Sequence, residues 1–399
     1  MTIGIVSYFN PTECREYLHD RQDIPNINKA ASSVNAITLG LLKAGHHVIV
    51  ITSSDDKGPV IHLSGEQLEV HIVSTYSRMP KADTFKRWYM VSRLRKELEK
   101  HIDKMDIVHT HWTYDFALAA AAFTKIKPVF CSIRDWSPVI QQYQKGFKAR
   151  AIWRIISGTL FKKVMANKGI HFIANSLYIY KLAKESYPSI NCDIIENPIK
   201  TEFIRQERTD YPTTPVFISI AQDLLEERKN YHGLLIAFSL FRQTHPHAKL
   251  ILIGRHSANS SIYKYWEQEG LTVDVDFLGF VDHDKLIDIL DHASALIHPS
   301  LEESFGNTLL EGMARRVPVI GGKDSGAVPY VLGQGEYGLL CDVSHSDDIA
   351  KAMEKALDIA EMRPILDNAT SYLKNELTNE TIANKHIKLF TESLQEKHE

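Results

Sequence analysis

The clearest chemistry in this sequence lies in two glutamates, Glu303 and Glu311, which are eight positions apart. Ser304, Phe305 and Gly306 follow the first glutamate, and the residues after them favour a helix. The first N–H groups of a helix lack partners within it, so they favour an anionic or oxygen-rich ligand. Two carboxylates up to about 12 Å apart can accept hydroxyl hydrogen bonds from two ends of one ligand. A helix cap and a solvent-exposed glutamate would give the same spacing.

The elements that must position these glutamates repeat along the chain. Short runs rich in Val and Ile alternate with longer amphipathic stretches, which predicts parallel sheets covered on both faces by helices. The 399 residues exceed what a single core usually holds, and the alternation restarts at Pro198. We therefore predict an α/β protein with doubly wound domains over 1–197 and 198–376, facing a cleft, and a terminal helix in 377–399. Ligands of such domains bind at the carboxyl ends of the strands.

Composition sets the broad class of the protein. Hydrophobic residues make up 44% and charged residues 24% of the chain, as in an ordinary globular protein. We expect no transmembrane helix, because no run of about 18 apolar residues occurs, and no signal peptide, because the first residues have the pattern of a buried strand. The four cysteines are far apart and form no Cys-x-x-Cys pair, so we expect reduced thiols and a cytoplasmic location.

The charge is unevenly distributed. Residues 1–200 carry 27 Lys and Arg against 18 Asp and Glu, whereas 201–399 carry 19 against 31. Seven of the cations lie in 141–168, which has no acidic residue and has apolar residues at helical spacing. A basic amphipathic helix favours an anionic membrane surface, so 145–168 is a candidate docking segment for the cytoplasmic membrane face. The same apolar stripe would also suit the core, and no motif indicates a nucleic acid partner.

The sequence HPSLEESFGNTLLEGMARRVPVIGGKDSGAVPYVL, which begins at His298, resembles the signature of family-4 retaining glycosyltransferases of the GT-B fold (glycosyl transferases group 1). Weaker similarity extends over nearly the whole chain. The resemblance implies two Rossmann-like domains and a C-terminal helix that returns to the N-terminal domain. It also implies metal-independent, anomer-retaining transfer of a sugar from a nucleotide diphosphate-sugar to a glycan or lipid-linked acceptor. No cofactor or metal ion is expected.

The resemblance assigns roles to single residues. Glu303 would orient the hydroxyls of the donor sugar, and Glu311 would hold the ribose. Lys229 would bind phosphate, and His111, at the end of a predicted strand, would lie near the donor sugar. A second cation would come from Arg228 or from Arg255. The further donor-binding candidates are Ser304, Phe305, Gly306, Asn307, Gly254, Arg255, Phe280 and Val281.

Several positions depart from the pattern of that family. Gln222 stands where the family usually has an arginine, and a Gly-Gly pair expected after the first strand is missing. Arg134 replaces a histidine before Asp135, which remains a candidate acceptor-side residue or a helix cap. A catalytically inactive GT-B partner subunit is therefore an alternative function, as is a nucleotide-sugar epimerase of the same fold. The Asp-x-Asp patterns at 274–276 and 282–284 are expected to be caps and solvent-exposed acids rather than metal ligands.

Overall fold

The computed structural model describes residues 1–19, 24, 25, 27, 31–75, 83–143 and 148–396, and the side chains of all of these except 83–85 and 148–153. Lys145 and the side chain of Lys148, in the candidate docking segment, therefore lie outside the described residues. The chain divides into two compact units. The N-terminal unit joins Met1–Pro198 with Thr378–Glu399, and the C-terminal unit is Ile199–Leu377. The predicted boundaries, after residues 197 and 376, are each one position before the boundaries observed after Pro198 and Leu377.

Fourteen strands occur in the described residues. Those of the N-terminal unit are β1 (Thr2–Val6), β2 (His47–Ser54), β3 (Ile61–Ser64), β4 (Leu68–Ser74), β5 (Ile107–His111), β6 (Val129–Ile133), β7 (Ile170–Ala174) and β8 (Cys192–Ile194). Those of the C-terminal unit are β9 (Val216–Asp223), β10 (Lys249–Arg255), β11 (Val275–Gly279), β12 (Ala295–His298), β13 (Val319–Gly322) and β14 (Leu339–Cys341).

The α-helices cover or flank these strands. Those of the N-terminal unit's first segment are α1 (Ser32–Lys43), α2 (Asp83–His101), α3 (Asp115–Ala120), α4 (Ser137–Tyr143), α5 (Lys148–Met165) and α6 (Leu177–Ser186). Those of the C-terminal unit are α7 (Tyr231–Arg242), α8 (Ser261–Gln268), α9 (His283–Asp291), α10 (Asn307–Ala314), α11 (Val328–Val331), α12 (Ser346–Ala356) and α13 (Ile359–Glu376). The last helix, α14 (Asn379–Gln395), belongs to the N-terminal unit.

Each unit is built on one mainly parallel sheet. In the described residues, the N-terminal sheet has the order β3-β4-β2-β1-β5-β6-β7-β8, and the C-terminal sheet has the order β11-β10-β9-β12-β13-β14. All neighbouring strands are parallel except β3 and β4. The Val and Ile runs of these strands are buried, because helices cover both faces of a parallel sheet. The predicted α/β fold with two Rossmann-like units is confirmed.

Helix α14 packs on α1 of the same unit. Thr378 caps its first turn, since the Thr378 hydroxyl accepts a hydrogen bond from the N–H of Thr381 at 3.1 Å. Gly40 of α1 allows the close approach, because a Cβ at that position would collide with the carbonyl oxygen of Asn379. His386 and Phe390 of α14 are buried. The terminal helix thus completes the core of the N-terminal unit.

The apolar stripe of the candidate docking segment is divided between core and surface. Phe161 and Val164 of α5 are buried in the core of the N-terminal unit, whereas Ile155 is 69% exposed. Lys162 and Lys163 are exposed, and the ammonium of Lys163 lies 4.8 Å from the centre of the Trp88 ring. The end of the stripe is therefore core, and the cations beside it face solvent. Among the described residues, no helix has both the length and the hydropathy to cross a bilayer.

Candidate active site

The candidate site of the C-terminal unit lies where its sheet changes direction. From β9 the chain adds β10 and β11 on one side, then places β12 on the other side of β9. Ligands of doubly wound sheets bind at such a switch point, outside the carboxyl ends of the strands. The loop after β9 carries Arg228 and Lys229, and the loop after β12 carries Glu303. Residues 74 positions apart in the sequence are thus brought together.

Glu303 is the centre of this cluster. Its Oε1 accepts a hydrogen bond from the ammonium of Lys229 and lies 3.1 Å from Nε2 of His298. Its Oε2 lies 3.6 Å from a guanidinium nitrogen of Arg228. Burial alone would raise the pKa of Glu303, but Lys229, His298 and Arg228 together hold that pKa well below its ordinary value. Glu303 is therefore a carboxylate at neutral pH.

Arg228 ties the two loops together. Its guanidinium lies 3.1 Å from the carboxylate of Glu226 and 3.5 Å from that of Glu302, and it donates to the carbonyl oxygen of Glu302 at 2.7 Å. The N–H of Leu301 in turn donates to the carbonyl oxygen of Arg228 at 2.9 Å. These contacts fix the loop after β9 against the loop after β12. A role of Arg228 toward phosphate stays a prediction.

His298 and Thr308 belong to the cluster, although the sequence analysis assigned them no role. Nδ1 of His298 lies 3.0 Å from the hydroxyl of Thr308, and its Nε2 lies 3.1 Å from Glu303. Because both ring nitrogens are engaged, the imidazole is fixed in orientation and helps to hold the carboxylate. The position of His298 at the end of a buried strand, five residues before Glu303, is the signal that the sequence contained.

The N-terminus of α10 is shaped by Phe305 and Gly306. The Phe305 side chain is buried and anchors the loop. Gly306 has φ +92°, and a Cβ there would lie 2.9 Å from Leu309, so glycine is required. The cap residue Gly306 has no side chain that could cap the helix. A helix N-terminus favours an anion, and binding of an anionic ligand at this end of α10 stays a prediction.

Glu311 lies on the second turn of α10 and is half-buried. Burial raises the pKa of its carboxyl to about 7. The two glutamates of the signature therefore differ in charge state: Glu303 is ionised and paired, whereas Glu311 titrates near neutrality. A ligand whose hydroxyl groups donate to Glu311 would favour its ionised form.

The loop after β13 also contacts this cluster. The N–H of Ala327 donates to the carbonyl oxygen of Glu303 at 2.9 Å. Ser325 is buried, and its hydroxyl occupies the space that a Cβ at Gly322 would need. The Gly-rich turn of the sequence thus lets this loop fold tightly beside Glu303.

The other donor-binding candidates lie at the ends of β10 and β11, on the opposite side of β9 from Glu303. Gly254 has φ +144°, and a Cβ there would collide with the carbonyl oxygen of Ala221. Arg255 has a side chain that is 67% exposed, and it donates to the carboxylate of Asp223 at 2.7 Å. Phe280 is 69% exposed, and Val281 next to it is half-buried. Their roles toward a donor stay predictions.

His111 of the N-terminal unit is buried at the end of β5. Arg134 donates to its Nδ1 from two nitrogens, Nε at 3.2 Å and Nη2 at 2.9 Å. Nδ1 is therefore the acceptor, and Nε2 carries the proton. That Nε2 is buried, and the described residues offer it no hydrogen-bond partner. Arg134 thus fixes the tautomer of His111.

His109 is part of the core rather than of a site. Its Nε2 lies 2.8 Å from the hydroxyl of Ser132, and its ring packs against His386 and Phe390 of α14. The side chain is fully buried. His111 is equally buried, and its role near a donor sugar stays a prediction.

A pocket of about 440 Å³ lies at the carboxyl edge of the N-terminal sheet. Asp135 lines it and accepts a hydrogen bond from the Tyr114 hydroxyl at 2.9 Å. Asp115 also lines it and is held by Arg87, which donates at 2.6 to 3.1 Å. The aromatic lining residues are Tyr8, Trp112, Tyr114 and Phe116. Carboxylates beside aromatic rings suit a ligand that has both hydroxyl groups and apolar faces.

Comparisons with known proteins agree with this geometry. The family model "Glycosyl transferases group 1" matches residues 200–371, and the model "Glycosyltransferase Family 4" matches residues 30–203. The two Rossmann-like units and the site at a switch point define a protein of the GT-B class. The chain belongs to the family-4 glycosyltransferases of the GT-B fold.

Three relatives illustrate the similarity. The gpi3 subunit of the phosphatidylinositol N-acetylglucosaminyltransferase of Schizosaccharomyces pombe is 29% identical over 367 residues, which cover 88% of this chain and 72% of the relative. The solved sucrose-phosphate synthase of Thermosynechococcus elongatus is 17% identical with a TM-score of 0.78, over 99% of each chain. Anabaena Alr3699/HepE, solved in complex with UDP and glucose, is 15% identical with a TM-score of 0.66, over 98% of this chain and 100% of that one. In two other curated relatives the match spans only 39% and 42% of the relative's length.

Proposed function

We propose that this protein transfers a sugar, with retention of anomeric configuration, from a nucleoside diphosphate-sugar to a glycan or lipid-linked acceptor in polysaccharide or glycolipid assembly. The observation that carries the proposal is the contact between Lys229 and Glu303 at the switch point of the C-terminal sheet. The loop that carries Glu303 leads directly into the N-terminus of α10, where Gly306 is the cap residue.

Lys229 and Glu303 would exchange partners when the donor binds. In the free protein the ammonium and the carboxylate satisfy each other. A diphosphate offers Lys229 several negatively charged oxygens, and the hydroxyls of the attached sugar offer donors to Glu303. As the bond between sugar and diphosphate breaks, negative charge grows on the leaving diphosphate. Lys229, with Arg228 behind it and the α10 N–H groups beside it, would stabilise that charge without a metal ion.

The identity of the donor is proposed from similarity alone. Anabaena Alr3699/HepE, of the same fold, was solved with UDP and glucose, so UDP and UDP-hexoses are the first donors to test. Glu311 would hold the ribose of such a donor, because its half-buried carboxyl lies on the helix that begins next to the site. Phe280, exposed at the end of β11, would flank the base.

The acceptor is proposed to bind in the pocket of the N-terminal unit. Asp135 and Asp115 there can accept hydroxyl hydrogen bonds, and the aromatic lining can pack against sugar rings or acyl chains. The Schizosaccharomyces pombe relative is named for transfer to phosphatidylinositol, which supports a lipid-linked acceptor. The exposed Lys162 and Lys163 of α5 would bring the unit to an anionic membrane.

The test of the proposed function uses the full chain with nucleoside diphosphates and their sugars. A thermal-shift screen should single out one base, because a ligand that binds only the folded state raises its apparent stability. The matching nucleotide-sugar should then be hydrolysed slowly even without an acceptor, which is measured as released nucleoside diphosphate. NMR of the first-formed anomer tests retention. Binding of a donor without any turnover would instead favour the inactive partner subunit.

A further inference from the structure

A cluster of histidines and glutamates lies far along the N-terminal sheet from β5 and His111. His71 comes from β4, and Glu97 and His101 come from the last turns of α2. Nδ1 of His71 lies 3.6 Å from Oε1 of Glu97, and Nε2 of His101 lies 3.4 Å from the same oxygen. One ligand atom from each of the three residues lies within 4.8 Å of the other two. The rings of His71 and His101 are 4.0 Å apart.

The two distances from the Glu97 oxygen match those between ligands of one metal ion. In tetrahedral zinc sites the nitrogen and oxygen ligands lie about 2.0–2.2 Å from the metal, which places neighbouring ligand atoms about 3.4 Å apart. Hydrogen bonds between the same groups are shorter, about 2.7–3.0 Å. The oxygen of Glu97 therefore stands at ligand spacing from both rings. Two imidazoles and one carboxylate are a donor set that zinc accepts, with water in the fourth position.

The two oxygens of the Glu97 carboxylate face different groups. Lys100 donates to Oε2 of Glu97 at 2.7 Å. Oε1 is the oxygen that lies 3.6 Å from the His71 ring and 3.4 Å from the His101 ring. The carboxylate is therefore oriented so that one oxygen faces both imidazoles.

The second nitrogen of His71 lies near a carboxylate that could orient the ring. Nε2 is buried and has no hydrogen-bond partner among the residues described, and the His71 residue is 5% exposed. The nearest carboxylate, that of Glu69, lies 3.6 Å from Nε2. Histidine ligands usually donate this N–H to a carboxylate, which fixes the tautomer and orients the ring. A small movement of Glu69 would complete that arrangement.

We propose that His71, Glu97 and His101 form a zinc site that fastens the end of α2 to strand β4. The site is separate from the residues proposed for sugar transfer, and its role is to hold α2 against the sheet. An alternative group, His62 with Glu69 and His71, shares the central histidine. His62 is exposed, so its ring would lose more freedom on binding, and the more buried group is favoured.

The test titrates the chelator-treated full chain with Zn²⁺ and, as a spectroscopic probe, with Co²⁺. We expect one tightly bound ion per chain, a rise in melting temperature, and the intense visible bands of four-coordinate Co²⁺. His101→Gln and Glu97→Gln should each weaken binding at least about 100-fold, and Glu69→Gln about 10- to 100-fold. Circular dichroism checks that each variant is folded.

His62→Gln and the remote His245→Gln are the matched controls, and both should bind the ion as the unmodified chain does. Loss of binding in His62→Gln with retention in His101→Gln would overturn the assignment in favour of the other group. Weak binding of several ions that no single substitution abolishes would show adventitious binding to surface histidines and would overturn the site altogether.

Discussion

The ammonium of Lys229 donates a hydrogen bond to Oε1 of Glu303, across 74 positions of sequence. This contact means that the positive charge of the candidate phosphate site is already compensated before any ligand binds. Because both groups are largely buried, neither is satisfied by water alone when the other is removed. The two residues should therefore respond differently to substitution, and this difference gives the first two predictions.

Removal of the cation should damage both donor binding and turnover. Lys229→Ala is expected to lower kcat/KM by about 100-fold or more, since the loss of one group that stabilises the transition state costs roughly 3 kcal/mol. Steady-state kinetics with the donor found in the thermal-shift screen provide the measurement. Lys264→Ala, on the exposed face of α8, is the control. Near-native turnover of Lys229→Ala would remove Lys229 from the mechanism.

Removal of the carboxylate charge should separate binding from chemistry. Glu303→Gln releases Lys229 to a diphosphate, so the affinity for free nucleoside diphosphate should be unchanged or higher, while turnover falls about 100-fold. Calorimetry of nucleotide binding and kinetics of transfer measure the two effects. Glu302→Gln is the matched control, because Glu302 lies in the same loop but pairs with Arg228. Parallel losses of affinity and turnover in Glu303→Gln would contradict the exchange of partners.

The pKa of Glu311, raised by burial to about 7, predicts a pH dependence of nucleotide binding. Ribose hydroxyls donate to the ionised carboxylate, so binding should release a proton, and affinity should rise between pH 6 and pH 8. Calorimetry in buffers of different ionisation enthalpy measures that proton. The diphosphate itself also titrates in this range, so the decisive comparison is with Glu311→Gln. In Glu311→Gln, the affinity for nucleotide should change with pH only as far as the diphosphate itself titrates.

The pH dependence of protein stability, measured without ligand, tests the raised pKa of Glu311 independently. The folded pKa of Glu311 lies above the ordinary value of 4.5, so the folded state binds this proton more tightly than the unfolded chain. Its contribution to the free energy of unfolding is present at low pH and is lost as the pH rises from about 4.5 through 7. Glu311→Gln should therefore be more stable than the unmodified chain at pH 8, by about 1–3 kcal/mol, but not at pH 4. Equal stability at pH 8 would contradict the raised pKa.

Chelation should affect the proposed zinc site but not the proposed transfer site. If Lys229 and Arg228 meet the charge of the diphosphate, EDTA should leave the initial rate of transfer intact. If zinc binds at His71, Glu97 and His101, the same treatment should lower the melting temperature. The rate is measured at a temperature well below unfolding, and the melting temperature is measured on another portion of the same treated sample. Loss of activity that Mg²⁺ or Mn²⁺ restores would count against a metal-independent mechanism.

The basic segment at 145–168 predicts binding to anionic vesicles. Each cation near an anionic surface contributes about 1 kcal/mol, and salt screens the effect. Exchange of Lys145, Lys148, Lys162 and Lys163 for Gln should therefore reduce flotation with anionic liposomes at low salt without changing the fold. A control variant loses the same charge from the C-terminal unit, at Lys264, Lys285, Lys351 and Lys355. If the unmodified chain fails to float at low salt, the proposed docking on an anionic membrane is wrong.

The fold of each unit and the start of α10 could be predicted from short stretches of the sequence. The alternation of strands and helices predicted two Rossmann-like units, because burial on both faces requires continuous runs of Val and Ile. The residues around Glu303 and Glu311 predicted that a helix begins just after Glu303. Gly306 supports that start, because its φ of +92° favours glycine. These features depend on residues that are close together in the sequence, so they can be predicted without knowledge of the tertiary contacts.

The charges and contacts of the site were decided only by the tertiary structure. Lys229 pairs with Glu303 because β9 and β12 are neighbours in the sheet although β10 and β11 separate them along the chain. Arg134 reaches His111 from the next strand, and His71 meets Glu97 and His101 across a strand and a helix. Ionisation depends on burial and on the charges nearby, and both depend on which distant segments the sheet order brings side by side.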